Sequence, residues 1–303
     1  MNVEANGERV TLTAEALTLE LAPALGGSIV RFDAGGVPVL RPASADSASV
    51  LDTACFPLVP YVNRIRGGRF ACDGREVVLT PNMAGDASPL HGQGWLSAWH
   101  VEAASATIAK LSFTHATGEW PWTYEAEQLF ALDAAGLTAM LTCRNLSDAP
   151  MPCGLGFHPY FPCDAATRLN TGVEGVYTID ANVLPVAREP AQGRYDLRDR
   201  QVCGQGLDHG FDGWSGTAAM AWGDGRTVTM RSPTARFFQL YSPTPGDLFV
   251  AEPVTHANAA LNEPRDRWAE LGIVMLAQGE AMTLEMRLDL ILPRQGEVAA
   301  RLR

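Results

Sequence analysis

Apolar and polar residues alternate along most of this chain with a period of two, which is the period of a β-strand. The clearest case lies near the end, where every even position from Met282 to Leu292 is apolar and the odd positions include Glu285 and Asp289. This pattern predicts a strand with one buried face and one wetter face. No segment longer than about ten residues shows the 3.6-residue period of a helix.

Turn residues separate the alternating stretches from one another. Asp73-Gly74 lies between the predicted strands 70–72 and 75–80, and Gly223-Asp224-Gly225 lies between 217–222 and 226–231. Both sequences are typical of hairpin turns. The other predicted strands are 9–13, 16–21, a strand ending near Phe32, 37–40, 98–104, 107–114, 123–132, 137–146, 235–241, 247–252, 271–277 and 282–292.

Two segments depart from this regular pattern. Residues 256–262 are the one candidate for a short helix. Residues 181–213 are rich in Gly, Arg, Asp and Gln, and they are the least strand-like part of the chain. Irregular segments of this kind often carry binding sites.

Many short strands with frequent turns predict an all-β fold, a large antiparallel β-sandwich with few short helices. The sequence contains no linker, low-complexity tract or internal repeat. Its 303 residues fit one large all-β domain, so we expect a single domain over residues 1–303.

Composition narrows the classes of partner. Apolar residues make up 47% of the chain and charged residues 19%, with a net charge of −11. This composition is globular, and its acidity argues against nucleic acid or an anionic membrane as the partner, while it leaves a neutral small molecule open. The N-terminal residues lack the pattern of a secretory signal, and no apolar run reaches the roughly 18 residues of a membrane helix. The oligomeric state does not follow from the sequence.

The cysteines and histidines do not show metal-site spacing. The six cysteines form no CxxC pair, and the histidines form no HxH or HExxH pattern, so we expect no metal ion. The simplest interpretation is a set of reduced, mostly buried thiols in a cytoplasmic protein.

Two segments offer groups for proton transfer. His158 lies in Gly156-Phe157-His158-Pro159-Tyr160-Phe161, and an imidazole can exchange a proton near neutral pH. Glu252 ends an apolar stretch and precedes a proline; desolvation in such a setting raises the pKa of a carboxyl group and makes it a better base. Taken alone, each could also be a structural residue, a paired core histidine or a strand-end glutamate.

Three further clusters offer hydrogen-bonding groups. Asn63 and Arg64 stand beside glycines, His91 precedes a glycine-rich turn, and Asp208 is followed by aromatic residues. Guanidinium and carboxylate groups bind hydroxyls well. Each cluster alone has an ordinary alternative, a solvated turn.

Taken together and in this order, these segments resemble the aldose 1-epimerase (galactose mutarotase) family. The segments that carry the resemblance are Asn63-Arg64-Ile65 with Gly68-Arg69-Phe70, Leu90-His91-Gly92, Gly156–Phe161, Leu207-Asp208-His209 with Phe211, Gln239-Leu240-Tyr241 and Glu252-Pro253-Val254-Thr255. One departure is the segment Asn258-Ala259-Ala260-Leu261-Asn262, which lacks the Pro and Asp usual in the family. The chain is also somewhat short for it.

The resemblance implies a β-supersandwich, an aldose as substrate and no metal or organic cofactor. It implies Glu252 as the general base and His158 as the general acid, which we expect to act on the sugar from opposite sides. The remaining residues that it places around the sugar are Asn63, Arg64, His91, Asp208 and Gln239.

Three other functions remain open on the sequence. Arg64, Arg66 and Arg69 together could bind the phosphate of a hexose 6-phosphate. A sugar-binding protein without turnover could use the same scaffold. A carbohydrate lyase or hydrolase on a related sandwich is the third; a hydrolase would need two carboxylates, for which Glu252 and Asp208 are the candidates.

Overall fold

The computed structural model describes residues 9–44 and 47–292, and in these residues the regular structure is almost entirely β. The strands in chain order are β1 Val10–Ala14, β2 Leu17–Ala22, β3 Ser28–Ala34, β4 Val37–Pro38, β5 Pro57–Leu58, β6 Arg69–Cys72, β7 Arg75–Val78, β8 His100–Ala104, β9 Ile108–His115, β10 Tyr124–Asp133, β11 Gly136–Asn145, β12 Met151–Cys153 and β13 Gly156–Phe157. They continue with β14 Tyr160–Pro162, β15 Arg168–Thr171, β16 Gly175–Ile179, β17 Pro185–Pro190, β18 Arg200–Gln201, β19 Leu207–Asp212, β20 Thr217–Ala221, β21 Thr227–Arg231, β22 Phe237–Ser242, β23 Leu248–Val254, β24 Val274–Leu276 and β25 Ala281–Ile291.

The helical elements are three-residue 3-10 turns. They are Val50–Asp52, Arg66–Gly68, Gly94–Leu96, Gly193–Tyr195, Ala260–Asn262 and Arg265–Arg267. In the described residues none of these elements has the length or apolar character needed to span a membrane.

Two large antiparallel sheets dominate the structure. One has nine strands in the order β18-β15-β20-β21-β25-β11-β10-β9-β8. The other has eight, in the order β17-β16-β19-β22-β23-β13-β5 with β14 also paired to β23. A four-stranded sheet, β1-β2-β3-β4, and the pairs β6-β7 and β12-β24 complete the fold. The all-β prediction is therefore confirmed.

The alternation near the C-terminus is explained by β25, which lies in the middle of the nine-stranded sheet between β21 and β11. Leu284, Met286 and Leu288 are fully buried, and Leu284 lies opposite Leu141 of β11. Burial of each such side chain contributes roughly 1.5–3 kcal/mol, so this period-two face is a main source of stability. The two predicted hairpins are also present, as β6-β7 and β20-β21.

Two local predictions were wrong. Residues 181–213 contain the strands β17, β18 and β19. The polar composition misled the interpretation because β19 alternates buried Leu207 and Phe211 with partly exposed Asp208 and Asp212, which is ordinary for a strand with one open face. Residues 256–262 contain no helix longer than the turn Ala260–Asn262.

The prediction of six reduced cysteines was wrong for one pair. Cys163 and Cys203 form a disulfide, with their Cα atoms 5.7 Å apart. They are 40 residues apart in sequence, and they follow β14 and β18, which belong to different sheets, so their spacing could not reveal the pairing. The other four cysteines are free and buried, as expected.

The register of the eight-stranded sheet gathers polar side chains on one face. Gln239 on β22 lies opposite Glu252 on β23, and Tyr241 lies opposite Asp208 on β19. Because residues i and i+2 of a strand share a face, all four side chains point to the same side of the sheet. Buried hydrophobic residues from both large sheets form one contiguous core behind them.

Candidate active site

A cavity of about 300 Å³ lies on this polar face of the eight-stranded sheet. All seven residues predicted from the sequence line it. They are Asn63, Arg64, His91, His158, Asp208, Gln239 and Glu252. Other lining residues are Leu51, Phe56, Met83, Leu90, Tyr160 and Tyr241.

His158 and Glu252 form the deepest polar contact of the cavity. Nε2 of His158 lies 3.4 Å from Oε1 of Glu252, and the Glu252 side chain is only 3% exposed. The two groups are therefore adjacent, with no room for a sugar ring between them, which differs from the expected placement on opposite sides. Nδ1 of His158 and Oε2 of Glu252 are buried without a hydrogen-bond partner in the described structure. Buried polar atoms are rarely left unpaired, so the pair has unused capacity for a ligand.

Aromatic rings hold the imidazole in place. The ring of Phe56 stacks on His158 at a centroid distance of 4.5 Å and an interplanar angle of 15°. Tyr160 contacts it at 4.7 Å with a tilt of 46° and also lies 6.2 Å from Phe56, and His91 meets the ring edge-on at 5.6 Å. This packing fixes the direction in which Nε2 points and removes water from around the ring.

Burial opposes the charged form of both members of the pair. It raises the pKa of Glu252 well above its ordinary value, the negative charge of Asp208 raises it further, and Arg64 acts in the opposite sense. Burial also lowers the pKa of His158 to about 3, to which the charge of Arg41 contributes. Burial thus favours the uncharged form of both groups, in which Glu252 carries the proton that the pair shares.

Arg64 is held by two partners at the cavity wall. Its Nε donates to Oδ2 of Asp86 at 2.8 Å, and its Nη1 donates to Oδ1 of Asn63 at 3.1 Å. Its backbone N–H donates to Oδ1 of Asn258, 194 residues away. The guanidinium therefore has a fixed direction, and Asp86 compensates its charge.

Asp208 and Gln239 form a second polar pair on the sheet. Nε2 of Gln239 donates to Oδ1 of Asp208 at 2.8 Å. Burial raises the pKa of Asp208, while Arg64 and this hydrogen bond lower it. The neighbouring His209 alternates to the opposite side of β19, where its ring packs against Tyr195, so it takes no part in the cavity.

Two further histidines have their tautomers set by backbone groups. Nδ1 of His91 accepts from the backbone N–H of Asn63 at 3.1 Å, which leaves Nε2 of His91 as the protonated nitrogen. Nε2 of His256 accepts from the N–H of Val62 at 2.8 Å, and its Nδ1 lies 2.8 Å from the carbonyl of Ala257. His256 thus ties the turn that carries Asn63 to the end of β23.

Several contributors were missed from the sequence. They are Arg41, Asp86, Tyr160, Tyr241 and His256. The motifs contained two of them, Tyr160 and Tyr241, but as neighbours of the chosen residues and without a role. Arg41, Asp86 and His256 lie outside every motif, and each has a partner in a distant segment, so no local pattern could have found them. In the described ranges, no three His, Cys, Asp or Glu residues gather as a metal site would require.

The fold and the cavity define a β-sandwich protein with a buried histidine–glutamate pair in a polar cavity of about 300 Å³. A comparison with known protein families supports the resemblance seen in the sequence, because the family model for aldose 1-epimerase matches residues 8–289. The chain therefore belongs to the aldose 1-epimerase family.

Individual relatives support this placement. The uncharacterized protein YphB of Escherichia coli K12 is 33% identical over 292 residues, covering 92% of this chain and 97% of YphB. An Escherichia coli K12 crystal structure, provisionally assigned as an aldose 1-epimerase, has a TM-score of 0.88 at 31% identity and covers 94% of this chain and 99% of that one. A galactose mutarotase-like protein from Clostridium acetobutylicum has a TM-score of 0.85 at 17% identity, with 97% and 98% covered, and it shares the fold.

Proposed function

We propose that the protein is a mutarotase that interconverts the α- and β-anomers of a free aldose. The observation that carries the proposal is the contact between Nε2 of His158 and Oε1 of Glu252 inside a polar cavity, with their second polar atoms unpaired. A protein that only binds sugar has no need of two adjacent proton-transfer groups.

The adjacency of the pair suits the chemistry. Ring opening removes the proton of the C1 hydroxyl, forms the C1 carbonyl, breaks the bond between C1 and the ring oxygen, and places a proton on that oxygen. Both oxygens are bonded to C1, so the base and the acid must reach two neighbouring atoms. After rotation about the C1–C2 bond, closure on the other face returns both protons and yields the other anomer.

The pair needs one proton in total for this cycle. We propose Glu252 as the base and His158 as the acid in ring opening, which requires the proton of the resting pair to move from Glu252 to His158. The 3.4 Å separation permits that transfer. Closure reverses the two roles, so the pair ends as it began. Each positioned group of this kind contributes about 10²–10⁴-fold in rate.

The other polar residues of the cavity would hold the sugar. We assign Asn63, Arg64, His91, Asp208 and Gln239 to the ring hydroxyls, so that only C1 changes during the reaction. The charges weigh against a phosphorylated sugar, because Asp86 compensates Arg64 and Arg69 pairs with Glu76. Arg66 is exposed and donates to the carbonyl of Pro185.

Polarimetry on freshly dissolved α-sugars tests the proposal. Glu252→Gln and His158→Asn should each lower the catalysed rate by at least about 10²-fold. His209→Asn is the matched control, since it removes a histidine from the opposite side of β19, and it should leave the rate unchanged. Rates near wild type for either cavity variant would reject the assignment.

The choice of sugar identifies the substrate and separates the rival functions. Glucose, galactose, xylose and arabinose should be compared with glucose 6-phosphate, and we expect the free sugars to be converted faster. Calorimetry on the same sugars covers the binding-protein alternative, which predicts heat of binding without any acceleration of mutarotation.

A further inference from the structure

We propose that Arg41 is a positioning residue for His158, which acts through Tyr160: its guanidinium clamps the phenol ring against the imidazole and places a fixed positive charge behind it. The inference rests on the proposed function in that His158 is taken as an acid–base group. Arg41 belongs to no motif and does not line the cavity.

The first observation is a cluster of planar groups in contact, formed by Arg41, Tyr160, His158 and Phe56. The guanidinium carbon of Arg41 lies 3.8 Å from the centroid of the Tyr160 ring, at the separation of a cation–π contact. The Tyr160 ring in turn lies 4.7 Å from His158 and 6.2 Å from Phe56, which itself stacks on His158 at 4.5 Å. The orientation of the imidazole therefore depends on what fixes the two rings that contact it.

The second observation is how Arg41 is fixed. Its Nη2 donates to the carbonyl oxygens of Leu51 at 2.6 Å and Thr53 at 2.5 Å. Its backbone N–H donates to the carbonyl of Tyr160 at 2.8 Å. Both side-chain bonds come from Nη2, and Nε is buried without a partner in the described structure. Arg41 is thus fixed at its backbone and at one guanidinium nitrogen, and a lysine would lose the flat face that covers the phenol ring.

The charged and titratable groups around His158 determine how the charge of Arg41 affects the protonation of the imidazole. Glu252 faces it from β23, His91 from the turn after Leu90, Cys55 from the segment before β5, and Tyr160 from its own segment. Arg41 is the permanent positive charge behind this group. A cation there disfavours a second positive charge on the imidazole, and it lowers the pKa of His158 in addition to burial.

Two variants test the charge of Arg41 and its contact with the Tyr160 ring separately. Arg41→Gln removes the charge but keeps an amide that can donate to a backbone carbonyl. Arg41→Lys keeps the charge but loses the planar group that covers the Tyr160 ring. Arg75→Met removes an exposed charge from the 69–78 hairpin and is the matched control. Should Arg41→Gln fail to fold, Arg41→Met replaces it, because its unbranched chain still covers the phenol ring.

The pH dependence of the His158 ring resonance is the readout, followed by nuclear magnetic resonance and assigned by its loss in His158→Asn. We expect Arg41→Gln to move the protonation of His158, and the acid limb of kcat/KM, upward by about one pH unit. Arg41→Lys should leave both positions unchanged while kcat falls several-fold, and Arg75→Met should change neither.

Two results would overturn the inference. One is a resonance titration in Arg41→Gln that coincides with wild type, and the other is an unchanged kcat in Arg41→Lys. The titration needs no sugar, so it decides the question for Arg41 even if mutarotation is absent. If the wild-type protein shows no mutarotase activity, the proposed function is contradicted, and the inference about Arg41 is still decided by the titration.

Discussion

Two depressions lie along the eight-stranded sheet, and the larger one is not the candidate site. A cleft of about 780 Å³, more than twice the volume of the candidate cavity, is bordered by Tyr177, Arg188, Asp212 and Arg267. Five of its seven charged residues pair with one another. Arg188 binds Asp212 through two nitrogens at 2.5 and 2.8 Å, and Arg267 pairs with Glu263 and Glu270.

The smaller cavity differs in what it leaves unsatisfied. His158 and Glu252 each keep a buried polar atom without a partner there, and burial displaces the pKa values of both groups. The ion pairs of the open cleft are solvated, so each contributes little. In this protein the unpaired buried atoms of a histidine and a glutamate in contact distinguish the candidate site, and volume does not.

The largest expected effect concerns acid stability, because neutral histidines are buried around the cavity. Burial lowers the pKa of His158 to about 3 and of His256 to about 4. Between these values and about 6.5 the unfolded chain binds more protons than the folded one, so stability falls as the pH falls. Each such histidine contributes a slope of about 1.4 kcal/mol per pH unit. Glu252, whose pKa is raised, contributes a slope of the opposite sign.

Urea unfolding between pH 7 and pH 4.5 measures this slope. His158→Phe keeps an aromatic ring in the stack and removes one titrating group, so the slope should decrease by about 1.4 kcal/mol per pH unit. His100→Asn changes an exposed histidine and should leave the slope as it is. Equal slopes in wild type and His158→Phe would mean that His158 is not held neutral.

The second effect concerns the tight packing behind the cavity. A Cβ atom on Gly154 would lie 1.9 Å from Cδ2 of His256, and that histidine is fixed by backbone bonds on both nitrogens. Gly154→Ala should therefore destabilise the fold by about 1–3 kcal/mol, as measured by urea unfolding. Gly118→Ala is the control, since no atom lies within 4 Å of its added Cβ. A Gly154→Ala protein as stable as the control would show that His256 can move.

The sequence predicted the parts of this arrangement that depend on local pattern. Strand β25 and the two hairpins followed from alternation and turn residues, because neighbours in sequence determine them. Local motifs singled out six of the seven predicted cavity residues, and the resemblance added Gln239 and the expected role of each. Asp86, Arg41 and the Cys163–Cys203 disulfide could not be predicted, because each depends on contacts between distant segments. The side-by-side placement of Glu252 and His158 also needed coordinates, since it depends on the pairing of β23 with β13 and β14.

The smallest effect compares two aspartates, each paired with an arginine, one at the cavity and one in the cleft. Asp86 fixes Arg64 through a contact in which both side chains are 11% exposed, whereas Arg188 in the cleft pair is 50% exposed. Asp86→Asn removes the charge while keeping an oxygen acceptor, so Arg64 should lose part of its fixed direction. Since Arg64 is proposed to hold the sugar and not to transfer protons, we expect KM to rise several-fold, about 1 kcal/mol, with kcat nearly unchanged. Asp212→Asn should leave both constants at their wild-type values. The two variants carry the same chemical change, so equal kinetics would mean that the cavity and the cleft do not differ in the way argued from their charges.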